Sequence, residues 1–141
     1  MRVSLPRVFV FVMTAVLASM ACDNGDLPTV PEAPTVTETF AGTLATNGAT
    51  TYPFTVTSAI GGKVTATLNT LNPSTVPIGM SLGTWNGVTC TINVDNQAAI
   101  QTSAISGTTS TVASLCLRIY DSSGTIPADA PVNYSVSVVH P

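Results

Sequence analysis

The chain has 141 residues, enough for one modest domain. Only 8% of them are charged and the formal net charge is −3, so the clustered Lys and Arg that a phosphate backbone demands are missing. That balance argues against a nucleic-acid partner and leaves solubility to Thr, Ser and Asn.

Residues 1–21 have the layout of an export signal. Arg2 and Arg7 give a basic start, residues 8–17 (VFVFVMTAVL) an apolar run, and Ser19 and Ala21 small residues ahead of a cleavage point. A run of about ten residues is too short to cross roughly 30 Å of hydrocarbon as a helix. The mature chain is therefore expected to be exported.

Two routes are open at Cys22. Ordinary signal peptidase fits Ser19 and Ala21. The same stretch also resembles a bacterial lipobox, in which a small residue precedes a cysteine that is lipidated and becomes the new N-terminus; Ser19 stands where that pattern usually has Leu. The chain has three cysteines, Cys22, Cys90 and Cys116. Lipid on Cys22 leaves an even pair, which favours that route over a free exported thiol. The expected location is the bacterial cell envelope, held to a membrane through Cys22, with a soluble periplasmic or secreted protein as the alternative. Without residues 1–21 the bases are Lys63 and Arg118 against seven acids, and 2 − 7 = −5.

Residues 22–37 read as a flexible tether. It contains three prolines (Pro28, Pro31 and Pro34) and three acids (Asp23, Asp26 and Glu32), and nothing repeats at a helical or strand period. Such composition buries too little surface to offset the entropy of ordering. An extended linker gains about 3.1 Å per residue, so this one holds a folded domain some 40 Å from a surface.

From residue 38 to 141 short β-branched runs alternate with turn signals. Strands are predicted over 39–44, 51–57, 63–71, 78–85, 88–94, 98–106, 112–120 and 132–139. Residues 63–71 (KVTATLNTL) show the period of two most plainly, with Val64, Ala66 and Leu68 on one face and Thr65 and Thr67 on the other. Asn86-Gly87 between two such runs predicts a tight hairpin with both turn residues at positive φ. About eight strands without a helical segment argue for an all-β fold, an antiparallel β-sandwich or jelly roll.

Four segments carry a family resemblance: residues 39–44 (TFAGTL), 52–56 (YPFTV), 62–68 (GKVTATL) and 133–138 (NYSVSV). Together they resemble the bacterial pre-peptidase C-terminal domain, over about residues 38–140. The resemblance implies a β-sandwich that is a non-catalytic appendage of exported enzymes. Residues 1–141 are not expected to include a peptidase.

Cys90 and Cys116 fall in two predicted strands, and in an oxidising compartment a disulfide is the natural pairing. Strict alternation puts Cys90 with Ile92 and Val94 but Cys116 with Arg118 and Tyr120, so a bulge or an edge position is needed to join them. Two cysteines without CxxC spacing fall short of a zinc site, and no metal or cofactor is expected.

Residues 79–83 (GMSLG) match the GxSxG of a serine hydrolase. That chemistry needs a strand-to-helix elbow, a histidine and an acid. The motif lies inside a strand-like run, and the single histidine, His140, reads as a solvated terminal residue. A hydrolase at Ser81 is therefore not expected. Asp95 and Asp121 read as turn residues whose side chains bond nearby backbone, and Arg118 as the partner of Asp121 or another acid. Trp85, beside the predicted hairpin, is the best candidate ligand-binding residue, in a sugar-stacking platform with Tyr52, Tyr120, Tyr134, Phe40 or Phe54; the competing expectation is that these rings fill the core. The sequence thus leads to a non-catalytic envelope protein in adhesion, recognition or architecture, with a glycan or an envelope protein as partner. A carbohydrate-binding module is the alternative.

Overall fold

The computed structural model describes residues 33–141. The expected signal, Cys22 and most of the tether lie outside that span. Eight strands follow one another: β1 (Val36–Leu44), β2 (Ala49–Val56), β3 (Gly62–Asn72), β4 (Ile78–Trp85), β5 (Cys90–Ala99), β6 (Ala104–Thr109), β7 (Ala113–Tyr120) and β8 (Val132–His140). They form two antiparallel four-stranded sheets, β1-β8-β3-β6 and β2-β7-β4-β5. The pairs β1–β8, β2–β7 and β3–β6 nest around the β4–β5 hairpin. The chain is thus one long antiparallel hairpin rolled into a sandwich, the strand order of a jelly roll.

The expected fold class holds because alternation is kept along most strands. In β8, Val132, Tyr134, Val136, Val138 and His140 point inward while Asn133, Ser135, Ser137 and Val139 point out. In β3, Val64, Ala66 and Leu68 meet them from the neighbouring strand. Met80, Leu82, Leu117 and Ile119 close the core from the other sheet. Antiparallel sheets of this kind bury one face and hydrate the other. A phenol pair crosses between the sheets: the Tyr52 and Tyr134 hydroxyls lie 2.8 Å apart. Gly42 leaves them room, since a Cβ there would press on both oxygens.

Three features differ from the sequence reading. β1 starts at Val36, two residues before the expected domain boundary, because Val36 and Thr37 pair with His140 and Val139. The Asn86-Gly87 hairpin forms, but with four loop residues, since Trp85 pairs with Cys90. Gly87 has φ 96°, while Asn86 keeps negative φ. The Asn86 side chain makes the turn instead: its Oδ1 accepts from the amides of Val88 and Thr89. Finally, the strand expected over 98–106 is two strands with a turn between them. Thr102 adopts φ 74°, the Ser103 amide donates to the Ile100 carbonyl, and the Ser103 hydroxyl accepts from the Ile100 amide. No Gly, Asn or Pro marks this turn, and Ser103 is the one turn-type residue in it.

Candidate functional site

The chemistry-bearing residues meet on the outer face of the β2-β7-β4-β5 sheet. β4 is the reason. Its residues 78–83 are buried on both faces, although only one face meets the sandwich core. Ile78, Met80 and Leu82 point inward, whereas Gly79, Ser81 and Gly83 point outward at a spacing of two. The outward row is GxSxG, and each of its members makes room for something that crosses the strand.

Gly79 is covered by the ring of Tyr120, its neighbour on β7; a Cβ at position 79 would overlap that ring. Gly83 is covered by the β5 backbone at Thr91, which a Cβ at position 83 would also overlap. Between them Ser81 is buried, and its hydroxyl donates to Asp95 Oδ1 at 2.8 Å. The Tyr120 hydroxyl donates to the same oxygen at 2.8 Å. Arg118, on the same face of β7, lies over the Tyr120 ring, 5.2 Å from its centroid. Asp95 is therefore no turn residue. It sits mid-strand, opposite Ser81.

Burial alone would raise the Asp95 carboxyl. The hydrogen bonds from Tyr120 and Ser81, together with Gln97 and the charge of Arg118, outweigh it and hold the group below its ordinary 3.8. Tyr120 moves the other way: burial and then the Asp95 hydrogen bond and charge raise its phenol above 10.0. An acid held in its charged form accepts two neutral donors. Ser81 is thus a buried hydrogen-bond donor to a carboxylate.

His140 belongs to the other sheet and is not a solvated terminal residue. It is 3% exposed on the inward face of β8. Its Nε2 lies 2.9 Å from Glu38 Oε1, its Nδ1 lies 3.1 Å from the Pro141 carbonyl oxygen, and its ring packs on Phe54. That contact is the single ion-pair geometry found among the described residues, so Arg118 has no carboxylate partner of that kind. Asp121 does behave as a turn residue, its oxygens accepting from the amides of Asn47 and Gly124.

Cys90 and Cys116 are bonded, with Cα atoms 5.9 Å apart. The facing conflict in the sequence is resolved by a bulge: Leu82 pairs with Val94 and Gly83 with Ile92, leaving Asn93 extra on β5. Cys90 and Ile92 therefore face outward with Cys116, and Val94 turns to the core.

Trp85 ends β4 and is half-buried. Phe40 stacks on Tyr52 at 4.9 Å and meets Phe54 at a tilt at 6.4 Å, all three against the core, so they are not joined to Trp85 in a platform. An apolar cleft opens between β5 and β6 over Val64, Leu82, Val94 and Leu115, with Asn93 and Thr108 at its rim and no aromatic ring in its lining. Among the described residues no group of three or more His, Cys, Asp and Glu is gathered for a metal ion. Asp95 and Tyr120 are the partners that sequence reasoning missed. The signal that points to them is the small-residue row of β4, which requires large neighbours above it.

No protein-family model matches the chain, and no curated protein is similar to it. The likeness to the pre-peptidase C-terminal domain thus rests on the four quoted segments alone.

Proposed function

We propose that this is a non-catalytic, exported β-sandwich, anchored to a bacterial envelope membrane by lipid on Cys22 and serving adhesion, recognition or envelope architecture. The observation that carries the non-catalytic reading is the state of Ser81. Its hydroxyl is buried and spent on Asp95, whose carboxylate is stabilised in the charged form. The one histidine is in the opposite sheet and bonded to Glu38. GxSxG is then a packing device, and the domain offers a stable scaffold with a hydroxyl-rich surface. The resemblance to a non-catalytic exported appendage supports the same reading. The anchor rests on the sequence around Cys22 and on cysteine arithmetic, since Cys90 and Cys116 are used in a disulfide.

Mass spectrometry of the membrane fraction tests it. A diacylglyceryl group on an N-terminal Cys22, and release of the protein by Cys22→Ser, are the expected results. A wholly soluble wild-type protein with unmodified Cys22 would refute the anchor.

A further inference from the structure

The strands end at two poles. At one, β2 passes to β3 through residues 57–61, β4 to β5 through 86–89 and β6 to β7 through 110–112. The registers bring these ends together: Val36 faces His140, Gly62 faces Thr109, Val56 faces Ala113 and Trp85 faces Cys90. Each of the three loops holds one large aliphatic side chain in solvent. Ile60 is 60% exposed, Val88 82% and Val112 57%. β1 begins at the same pole with Val36, also exposed, so the chain that leads back to Cys22 leaves from here. The opposite pole has four connections, at 45–48, 73–77, 100–103 and 121–131, and among the described residues a single exposed large aliphatic, Ile100.

Charge follows the same axis. Asp121 and Asp129 lie at the far pole. Among the described residues the near pole holds Lys63, the only lysine of the chain, and one carboxylate, Glu38, which is bonded to His140, while Asp23, Asp26 and Glu32 belong to the tether. We infer that the near pole docks on a lipid bilayer, with Ile60, Val88 and Val112 entering the boundary between headgroups and acyl chains. The inference rests on the proposal that Cys22 anchors the chain. Thirteen residues, 23–35, separate that cysteine from β1 and span about 40 Å as an extended, proline-rich linker. A tether of that length raises the local concentration of the pole at the surface, so contacts too weak to hold a free protein suffice.

Trp85 is the only tryptophan and stands beside the 86–89 loop, which makes it the reporter. The chain from Cys22 onward, which keeps every described strand, is coupled through its Cys22 thiol to maleimide-bearing lipid in vesicles of phosphatidylethanolamine and phosphatidylglycerol. Chemical coupling makes the result independent of whether cells lipidate Cys22. With brominated acyl chains, Trp85 emission is expected to fall relative to plain vesicles, as for a ring at the boundary of headgroups and acyl chains. The triple variant Ile60→Asp, Val88→Asp, Val112→Asp should keep its β-signature and lose the quenching. A second reporter, Val88→Trp in a Trp85→Phe background, reads the loop tip itself. Equal emission from both reporters in brominated and plain vesicles, or undiminished quenching in the triple variant, would overturn the docking. An unmodified Cys22 in native membranes would remove the lipid anchor and leave this measurement standing.

Discussion

Cys90 and Cys116 are bonded although a whole strand, β4, lies between theirs. Neighbouring strands sit about 4.8 Å apart, so next-nearest strands in a flat sheet are separated by nearly 10 Å. The observed 5.9 Å between the two Cα atoms requires β5 to fold over the face of β4. Gly83, paired with Cys116, is where it does so, with Thr91 passing over the missing Cβ. Gly83→Ala should therefore lift β5 and cost about 1–3 kcal/mol, the usual cost of overfilling a packed site. Urea unfolding measures it. Replacing both cysteines by Ser opens a loop of 26 residues and should cost about 3–4 kcal/mol on the chain-entropy account. In that background Gly83→Ala should cost less than in the wild type, because an untied β5 is free to move away. Strict additivity of the two changes would break the link drawn between glycine and disulfide.

Ser81 is expected to matter for stability and not for chemistry. Ser81→Ala removes one of two donors to Asp95 Oδ1 and leaves the Tyr120 hydroxyl in place. The loss should be about 1 kcal/mol. The wild-type protein should take up no fluorophosphonate probe. Stoichiometric labelling that vanishes in Ser81→Ala would show a nucleophile and undo the non-catalytic reading.

The pH dependence follows from the same cluster. Asp95 and Asp121 are both held below 3.8 in the fold, Asp121 because amides of Asn47, Ile126, Gly124 and Thr125 outweigh its burial. The unfolded chain then takes up protons first as pH falls. The stabilisation is complete above 3.8 and is lost as pH drops through the depressed folded values. Tyr120 has the opposite sign: raised above 10.0, it stabilises fully below that pH and stops doing so as pH rises through the folded value. Asp95→Asn should flatten the acid limb of the stability curve. It should also bring the Tyr120 titration down part of the way, since burial of the ring remains. An unchanged acid limb and an unchanged phenol titration would count against this arrangement.

The strands were legible because alternation is a local property. Residues 63–71 and 132–139 declare their buried faces without help from any neighbour. What was not legible depends on partners far along the chain. Asp95 looks like the start of an Asp-Asn turn, and its donors Ser81 and Tyr120 are 14 and 25 residues away on other strands. The turn at 100–103 is built by a threonine at positive φ, which is rare for a β-branched residue, and by a serine hydroxyl, a weaker turn signal than Gly, Asn or Pro. The cysteine pairing could be reached by counting. Its geometry needed the extra residue at Asn93 and the bare backbone of Gly83, and only the register reveals both.

His140 is the plainest case of a residue whose place is set by topology. Position near the end of the chain suggests a solvated side chain, yet β8 is an interior strand, flanked by β1 and β3. Alternation then carries the ring inward, onto Phe54 and against Glu38, 102 residues earlier. His140→Ala should leave Glu38 without its partner and a void beside Phe54, at a cost of about 2 kcal/mol. A solvated terminal histidine would cost nothing. Glu38→Ala should be milder, because that side chain is part-exposed. The double variant should show a coupling of about 1 kcal/mol between the two, since a charge-assisted contact is lost only once. Urea unfolding of the four proteins gives the cycle. Zero coupling, or an unaltered midpoint in His140→Ala, would mean that the end of β8 does not carry the load this geometry assigns to it.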